Sequence, residues 1–342
     1  MEYQVISKKD LKDWIYGLCK DYIIFAPVKG EEGIVFNEIK SIDEIYFKST
    51  NSKKSPKGIC FPQMEKLFSF SKEDKIELFP IEVKIKKRII FGIRPCDAMA
   101  FSALDKVFIS QEYKDTYYIG KREDTLMIGI ACTEPETICF CTTIGGDPAS
   151  KEGIDVLLID IGDEYFVEVL TNKGKSLVNG ISYFKKANDN HIKLKEEKIN
   201  KAREKVKYID ITGLKEKLDE SFDLPFWDRI YEKCIGCGIC TFLCPTCHCF
   251  DIVDEGGKDQ GERIRIWDSC QFPLFTKHAS GVNPRPTGKE RLRQRILHKF
   301  KYFVENYNMF GCVGCGRCVK YCPVNLDIRE ILKSLAGNGE IK

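Results

Sequence analysis

Apolar residues in the first two-thirds of the chain fall in short runs between turns. Tyr22-Ile-Ile-Phe-Ala-Pro27 and Gly33-Ile-Val-Phe36 read as strands, and Lys87-Arg-Ile-Ile-Phe-Gly-Ile93 reads as a buried one. The period then changes. From Asp97 to Val107 the spacing predicts a helix, with Ala98, Phe101, Leu104 and Phe108 on one apolar face. Thr125-Leu-Met-Ile-Gly-Ile-Ala131 is the next strand, and strand–helix–strand order fits a parallel crossover unit. Residues 154–160 and 165–170, with Gly162-Asp163 between them, read as a hairpin. Residues 185–221, rich in lysine and glutamate, predict a solvated helix and a connector.

The pattern breaks at Asp223-Leu-Pro225, which places a boundary near residues 222–226. An α/β domain is expected over 1–222, and a helical, ferredoxin-like domain carrying two [4Fe–4S] clusters over 223–342. In the second, Thr287-Gly-Lys-Glu290 is a capping box that opens a long helix from Arg291 to about Asn306. Ile328, Ile331, Leu332 and Leu335 define one face of another helix, Asp327 to Ala336, with Gly337 at its end. Helices, not a β-hairpin, are expected to connect the cluster loops.

The chemistry lies in the cysteines. Cys234-x2-Cys237-x2-Cys240-x3-Cys244-Pro245 is repeated as Cys312-x2-Cys315-x2-Cys318-x3-Cys322-Pro323. This is a [4Fe–4S] ligand run, whose fourth cysteine characteristically reaches the other cluster of a pair. Cys234, Cys237, Cys240 and Cys322 are therefore assigned to one cluster, and Cys312, Cys315, Cys318 and Cys244 to the other. Zinc knuckles favour paired CxxC or His/Cys sets and have no need of Cys-Pro twice in register.

A second group follows from topology. Cys96 and Cys132 each stand just past a strand; if those strands are parallel neighbours, both lie on the sheet edge where α/β folds build sites. Cys139 and Cys141 follow in one loop. These four thiols suit a third [4Fe–4S] cluster, a tetrahedral zinc site or plain buried thiols. Cys247, Cys249 and Cys270, near the first cluster motif, stay unassigned, with ligation, metal binding with His248 and tuning of a cluster all open. Cys19 and Cys60 are isolated and read as ordinary thiols. Arg291, Arg293, Arg295, His298 and Lys299 form either a solvated helix face or a cationic lining that raises cluster potentials.

Composition narrows the class without naming it. The 342 residues are 43% hydrophobic and 31% charged, enough for two globular domains. With 54 basic and 51 acidic residues, the net charge of +3 gives no case for nucleic acid or an anionic membrane. Apolar runs are strand-sized and no signal-like N-terminus is present, so a cytoplasmic protein without a membrane span is expected. In a reducing cytoplasm seventeen cysteines point to metal, and an accessible cubane points to an anaerobic host. No Gly-x-Gly-x-x-Gly after a strand and no phosphate loop are present, so the chain lacks its own nucleotide chemistry.

Ser55-Pro-Lys57, Phe61-Pro-Gln-Met-Glu65, Cys96-Asp97, Cys139-Phe-Cys141, Cys244-Pro-Thr-Cys247-His-Cys249, Trp267-Asp-Ser-Cys270 and Cys312-Val-Gly-Cys-Gly-Arg-Cys318 run in an order resembling one family. It comprises the iron–sulfur beta subunits of cytoplasmic sulfhydrogenases and their counterpart, the iron–sulfur component of anaerobic sulfite reductase. The resemblance implies a non-catalytic electron-transfer subunit. Its partners would be a flavoprotein/[2Fe–2S] subunit linked to NAD(P)H and a catalytic subunit, either sirohaem sulfite reductase or nickel–iron hydrogenase. It also favours a cluster at Cys96, Cys132, Cys139 and Cys141. The rival readings are a thiol/disulfide reductase with an open-site cluster near Cys247, Cys249 and Cys270, and a cluster-based sensor or scaffold.

Overall fold

A computed structural model describes residues 3–31, 33–48, 51–72, 75–81, 86–110 and 112–337. Twelve strands are present among them: β1 (Gln4–Ser7), β2 (Ile23–Gly30), β3 (Gly33–Glu38), β4 (Met64–Lys72), β5 (Ile76–Pro80), β6 (Arg88–Ile93), β7 (Thr125–Ile130), β8 (Val156–Asp160), β9 (Glu164–Val169), β10 (Lys185–Lys186), β11 (Phe250–Gly256) and β12 (Gln260–Trp267). Eight form one sheet in the order β10-β1-β9-β8-β7-β6-β2-β3. Its centre, β8-β7-β6-β2, is parallel, and its flanks are antiparallel. The β8–β9 hairpin and the parallel β6–β7 pair follow the sequence pattern. The crossover between β6 and β7 carries Pro95–Phe108 as expected, and a second helix, Thr116–Glu123, that the pattern did not announce.

Both faces of this sheet are covered, which explains the nearly continuous apolar run of β6. Ile89 and Phe91 pack on one side with Leu11, Trp14 and Ile15 of the helix Lys8–Leu18. Ile90 packs on the other with Ala98, Phe101, Leu104 and Phe108, the expected helix face. A separate core lies under the cysteine loops. Ile328, Ile331, Leu332 and Leu335 meet Leu292, Ile296 and Phe300 there. The capping box at Thr287 forms, and the helix it opens runs Gly288–Leu297, through a π-helical turn, His298–Tyr302, into Phe303–Tyr307.

Between the two cysteine motifs the structure departs from the expected all-helical connection. β11 and β12 form a hairpin, and β12 pairs with β4, which pairs with β5, in a second sheet ordered β11-β12-β4-β5. Strands from either side of residue 222 thus share one sheet. The physical reason is the charge content. β11 and β12 are too polar to resemble buried strands, and β12 is paired on its second edge by distant β4. At this junction Arg265 is 4% exposed and bonds Glu65 at 2.5 Å, with Asp115 and Lys121 completing a buried ion network. Among the described residues no helix is long and apolar enough to cross a membrane.

Candidate iron–sulfur centres

The two cysteine motifs fold as copies of one another. Gly236 and Gly238 have φ of +66° and +75°, and Gly314 and Gly316 have +62° and +75°. These left-handed turns curl each loop and open a short helix, Ile239–Phe242 in the first and Arg317–Lys320 in the second. Cys234, Cys237 and Cys240 of the first run line one cavity with Cys318, Cys322 and Pro323 of the second. Cys318 has Cys312, Cys315 and Cys244 as its electrostatic thiol neighbours.

Burial disfavours the thiolate form of Cys312 and Cys318, pushing Cys312 up to about 11 and raising Cys318 further. Cys244 moves the other way. The Cys247 thiol donates to its sulfur and lowers its pKa well below the ordinary value, helped by Lys299 and Arg295. Backbone amides also point at sulfur: Gly314 N–H to Cys312 at 3.5 Å and Leu326 N–H to Cys322 at 3.3 Å. Desolvation makes anionic sulfur costly, and donors aimed at it offset that cost.

The basic run resolves into two populations. Arg295 and Lys299 are 5% and 4% exposed. Arg295 bonds the Cys240 carbonyl at 2.7 Å and Cys247 Sγ at 3.5 Å. Lys299 donates to Cys244 Sγ at 3.3 Å, Thr246 Oγ1 at 3.0 Å and the Gly311 carbonyl at 2.7 Å. Burial pulls the Lys299 ammonium down, yet Cys244 and Cys247 hold it above its ordinary value. Arg291 and Arg293 instead bond backbone carbonyls. His298 lies in the cavity with Cys247, Cys249 and Cys270.

Cys96 and Cys132 both stand at the carboxyl edge of the parallel pair β6 and β7. Cys141 and Cys139 each have Cys132 as an electrostatic neighbour, and Cys96 has Cys141. Burial pushes Cys139 and Cys141 up to about 12. Buried Arg94 sits beside Cys132 and Cys96 and bonds the carbonyls of Ile130 and Ala131 at 3.3 and 3.1 Å. Among the described residues, no three His, Cys, Asp or Glu side chains are grouped to hold one metal ion. A cubane asks for a wider arrangement, because each thiolate meets its own iron.

Asn51 joins this set to the dicluster loops. Its amide donates to the Cys315 carbonyl at 3.1 Å, and its Oδ1 accepts from Cys96 at 3.6 Å. Phe140 N–H bonds the Gly314 carbonyl at 2.9 Å. Asn51 and Arg94 carried no sequence signal as site residues, since a buried polar residue looks like a surface one until its neighbours are known; Arg317 stands in the Cys312–Cys318 segment that carries the resemblance. Lys57 had one, the Ser-Pro-Lys segment. It bonds the Cys247 carbonyl at 2.7 Å and sits 4.1 Å over the Trp267 ring. Cys60 is fully buried on Thr125, and Cys19 is exposed, as isolated thiols.

Comparison with known proteins agrees with this geometry. Residues 233–326 match the family model of a 4Fe-4S dicluster domain, which implies two [4Fe–4S] clusters. Sulfhydrogenase 2 subunit beta of Pyrococcus furiosus is 32% identical over 316 residues, spanning 90% of this chain and 91% of the relative. The F420-dependent formate dehydrogenase subunit beta of Methanocaldococcus jannaschii is 25% identical over 179 residues, 48% of this chain and 37% of that protein. No solved structure matches. On the strength of the nearly full-length match, the chain belongs to the family of iron–sulfur beta subunits represented by that sulfhydrogenase subunit.

Proposed function

We propose that this chain is an electron relay with three [4Fe–4S] centres. Cys234, Cys237, Cys240 and Cys322 would hold the first, Cys312, Cys315, Cys318 and Cys244 the second, and Cys96, Cys132, Cys139 and Cys141 the third. When bound, each cubane takes up and releases one electron at a time. The chain's residues bury the sulfurs, aim amides at them and place Arg295 and Lys299 beside the first two sets. Hydrogen bonds and positive charge at sulfur raise a cluster's potential.

The observation that carries the reading is the interleaving of all three sets. Cys315 is the electrostatic neighbour of Cys96, and Cys244 that of Cys240, so the second set lies between the others. Cys237 is exposed and Cys315 buried, which makes the first set the end open to a partner. Its relatives are beta subunits by name, so partner chains supply the substrate chemistry. The partners proposed are a flavoprotein/[2Fe–2S] subunit linked to NAD(P)H and a catalytic hydrogenase or sulfite reductase subunit, in the cytoplasm.

The test is iron and acid-labile sulfide per chain in protein purified without oxygen. About twelve irons are expected for three cubanes. About eight would remove the N-terminal set from the path, and zinc in place of iron would overturn the relay.

A further inference from the structure

One group of thiols is left over by the relay. The hairpin β11–β12 ends with Phe250 opposite Trp267, and Asp268 N–H bonds the Cys249 carbonyl at 3.0 Å. This brings Cys249, just before β11, against Cys270, just after β12, with the two thiols within hydrogen-bonding reach on the wall of one cavity. Gln271 Nε2 lies 3.4 Å from the same sulfur and is fixed on the Arg291 carbonyl at 2.9 Å. The pair opens on a cavity of about 310 Å³ lined also by Cys247, His248, Arg285, Arg295, His298 and Lys299. Cys270 is an electrostatic neighbour of Cys240, from the first cluster set, and Cys247 bonds Cys244, from the second.

We infer that Cys249 and Cys270 form a dithiol/disulfide centre that joins the one-electron relay to two-electron thiol chemistry in this cavity. The inference rests on the relay reading for its reductant, the reduced iron–sulfur centres on either side. In the reducing step the Cys249–Cys270 S–S bond breaks, two electrons arrive singly and two protons come from solvent in the cavity, leaving two thiols. In the discharging step one thiolate attacks a substrate disulfide and expels one thiol. The second thiol then closes the S–S bond and expels the other, so one disulfide is exchanged for another. Arg285, Arg295 and Lys299 make the cavity cationic, so the substrate class is a small anionic disulfide.

Three features separate this pair from the remaining cysteines. Cys60 is fully buried on Thr125, whereas Cys249 and Cys270 are partly buried and line the cavity. Cys19 is exposed and isolated. Cys247 is hydrogen-bonded to Cys244, which belongs to a cluster set.

The experiment uses the full-length, iron-loaded chain without oxygen. After reduction with dithionite and removal of the reductant, glutathione disulfide is added as the anionic probe. Thiols are then trapped with iodoacetamide and mapped by peptide mass spectrometry. Expected is a Cys249–Cys270 cross-linked peptide, lighter by two hydrogens than the reduced pair, with iron unchanged. In C270S a glutathione adduct should stay on Cys249, and C247S should still cross-link. An iron-loaded sample with no cross-link overturns the centre while leaving the relay intact. Loss of about four irons in both C249S and C270S also overturns it, because the thiols are then ligands. A wild-type sample without iron overturns the relay and, with it, the source of electrons for this step.

Discussion

Arg317 and Asp97 form a two-pronged ion pair at 2.6 and 2.7 Å, each side chain only 1% exposed. Arg317 stands in the second cluster loop. Asp97 lies next to Cys96, in the first turn of the crossover helix. The same guanidinium bonds the carbonyl and hydroxyl of Ser52 at 2.8 and 3.1 Å. One buried cation thus binds the N-terminal cysteine set to the dicluster loops.

Removing one partner leaves the other charge buried and unpaired, which costs about 3–5 kcal/mol. R317A and D97A should each lower the thermal midpoint sharply, and the double variant by less than their sum. Calorimetry on all three variants closes the cycle. Additive losses would show that the two charges do not act on each other.

Gly314 tests how closely the two regions approach. A Cβ there would sit 2.5 Å from Cys141 N and Cα, at a φ of +62°. G314A should displace the loop, with lower iron content and poor soluble yield. Gly145, at φ +80° with nothing within 4 Å of an added Cβ, is the control. G145A should meet only the left-handed strain of about 1–2 kcal/mol. Equal iron loss in both would remove the close-packing argument.

Lys299 gives its charge and a hydrogen bond to Cys244 Sγ. A charge-assisted bond contributes about 1.5–3 kcal/mol, and a one-electron potential moves by about 59 mV for a tenfold change in equilibrium. K299M should therefore lower the potential of the second centre by roughly 60–120 mV. K301M should not, since Lys301 bonds Asp219 and Glu305 instead. Potentiometric titration followed by electron paramagnetic resonance reads the shift, and no difference between the two variants would exclude Lys299 as a tuning group.

Acid should weaken the fold through two histidines. Burial holds His248 down to about 4 and His298 to about 3. Below the unfolded value of about 6.5 the unfolded chain takes up protons that the native one refuses. Stability is therefore full above that pH and falls as acid is added towards the folded values. The loss should be about 1–3 kcal/mol per ring. Thermal midpoints measured from pH 8 to 5 should fall, and H248N should flatten the slope; a wild-type midpoint that holds level would contradict the burial argument.

The sequence by itself determined the parts whose signal is local. Ligand spacing in the two cysteine runs, the period-changing segment from β6 into its helix, and the apolar stripe of Ile328–Leu335 are set by neighbours a few residues apart. The positions of Cys96 and Cys132 were also legible, because two parallel strands must end on the same edge. Only tertiary structure decided the rest. The β11–β12 hairpin is polar on its own and becomes part of a sheet through β4, nearly two hundred residues earlier. Lys299 and Arg293 are equivalent cations in the sequence, yet one lies buried on Cys244 and the other bonds Phe222 at the surface. Burial depends on what packs from distant segments, so Asn51, Arg317 and the meeting of Cys249 with Cys270 exist only once the chain has folded.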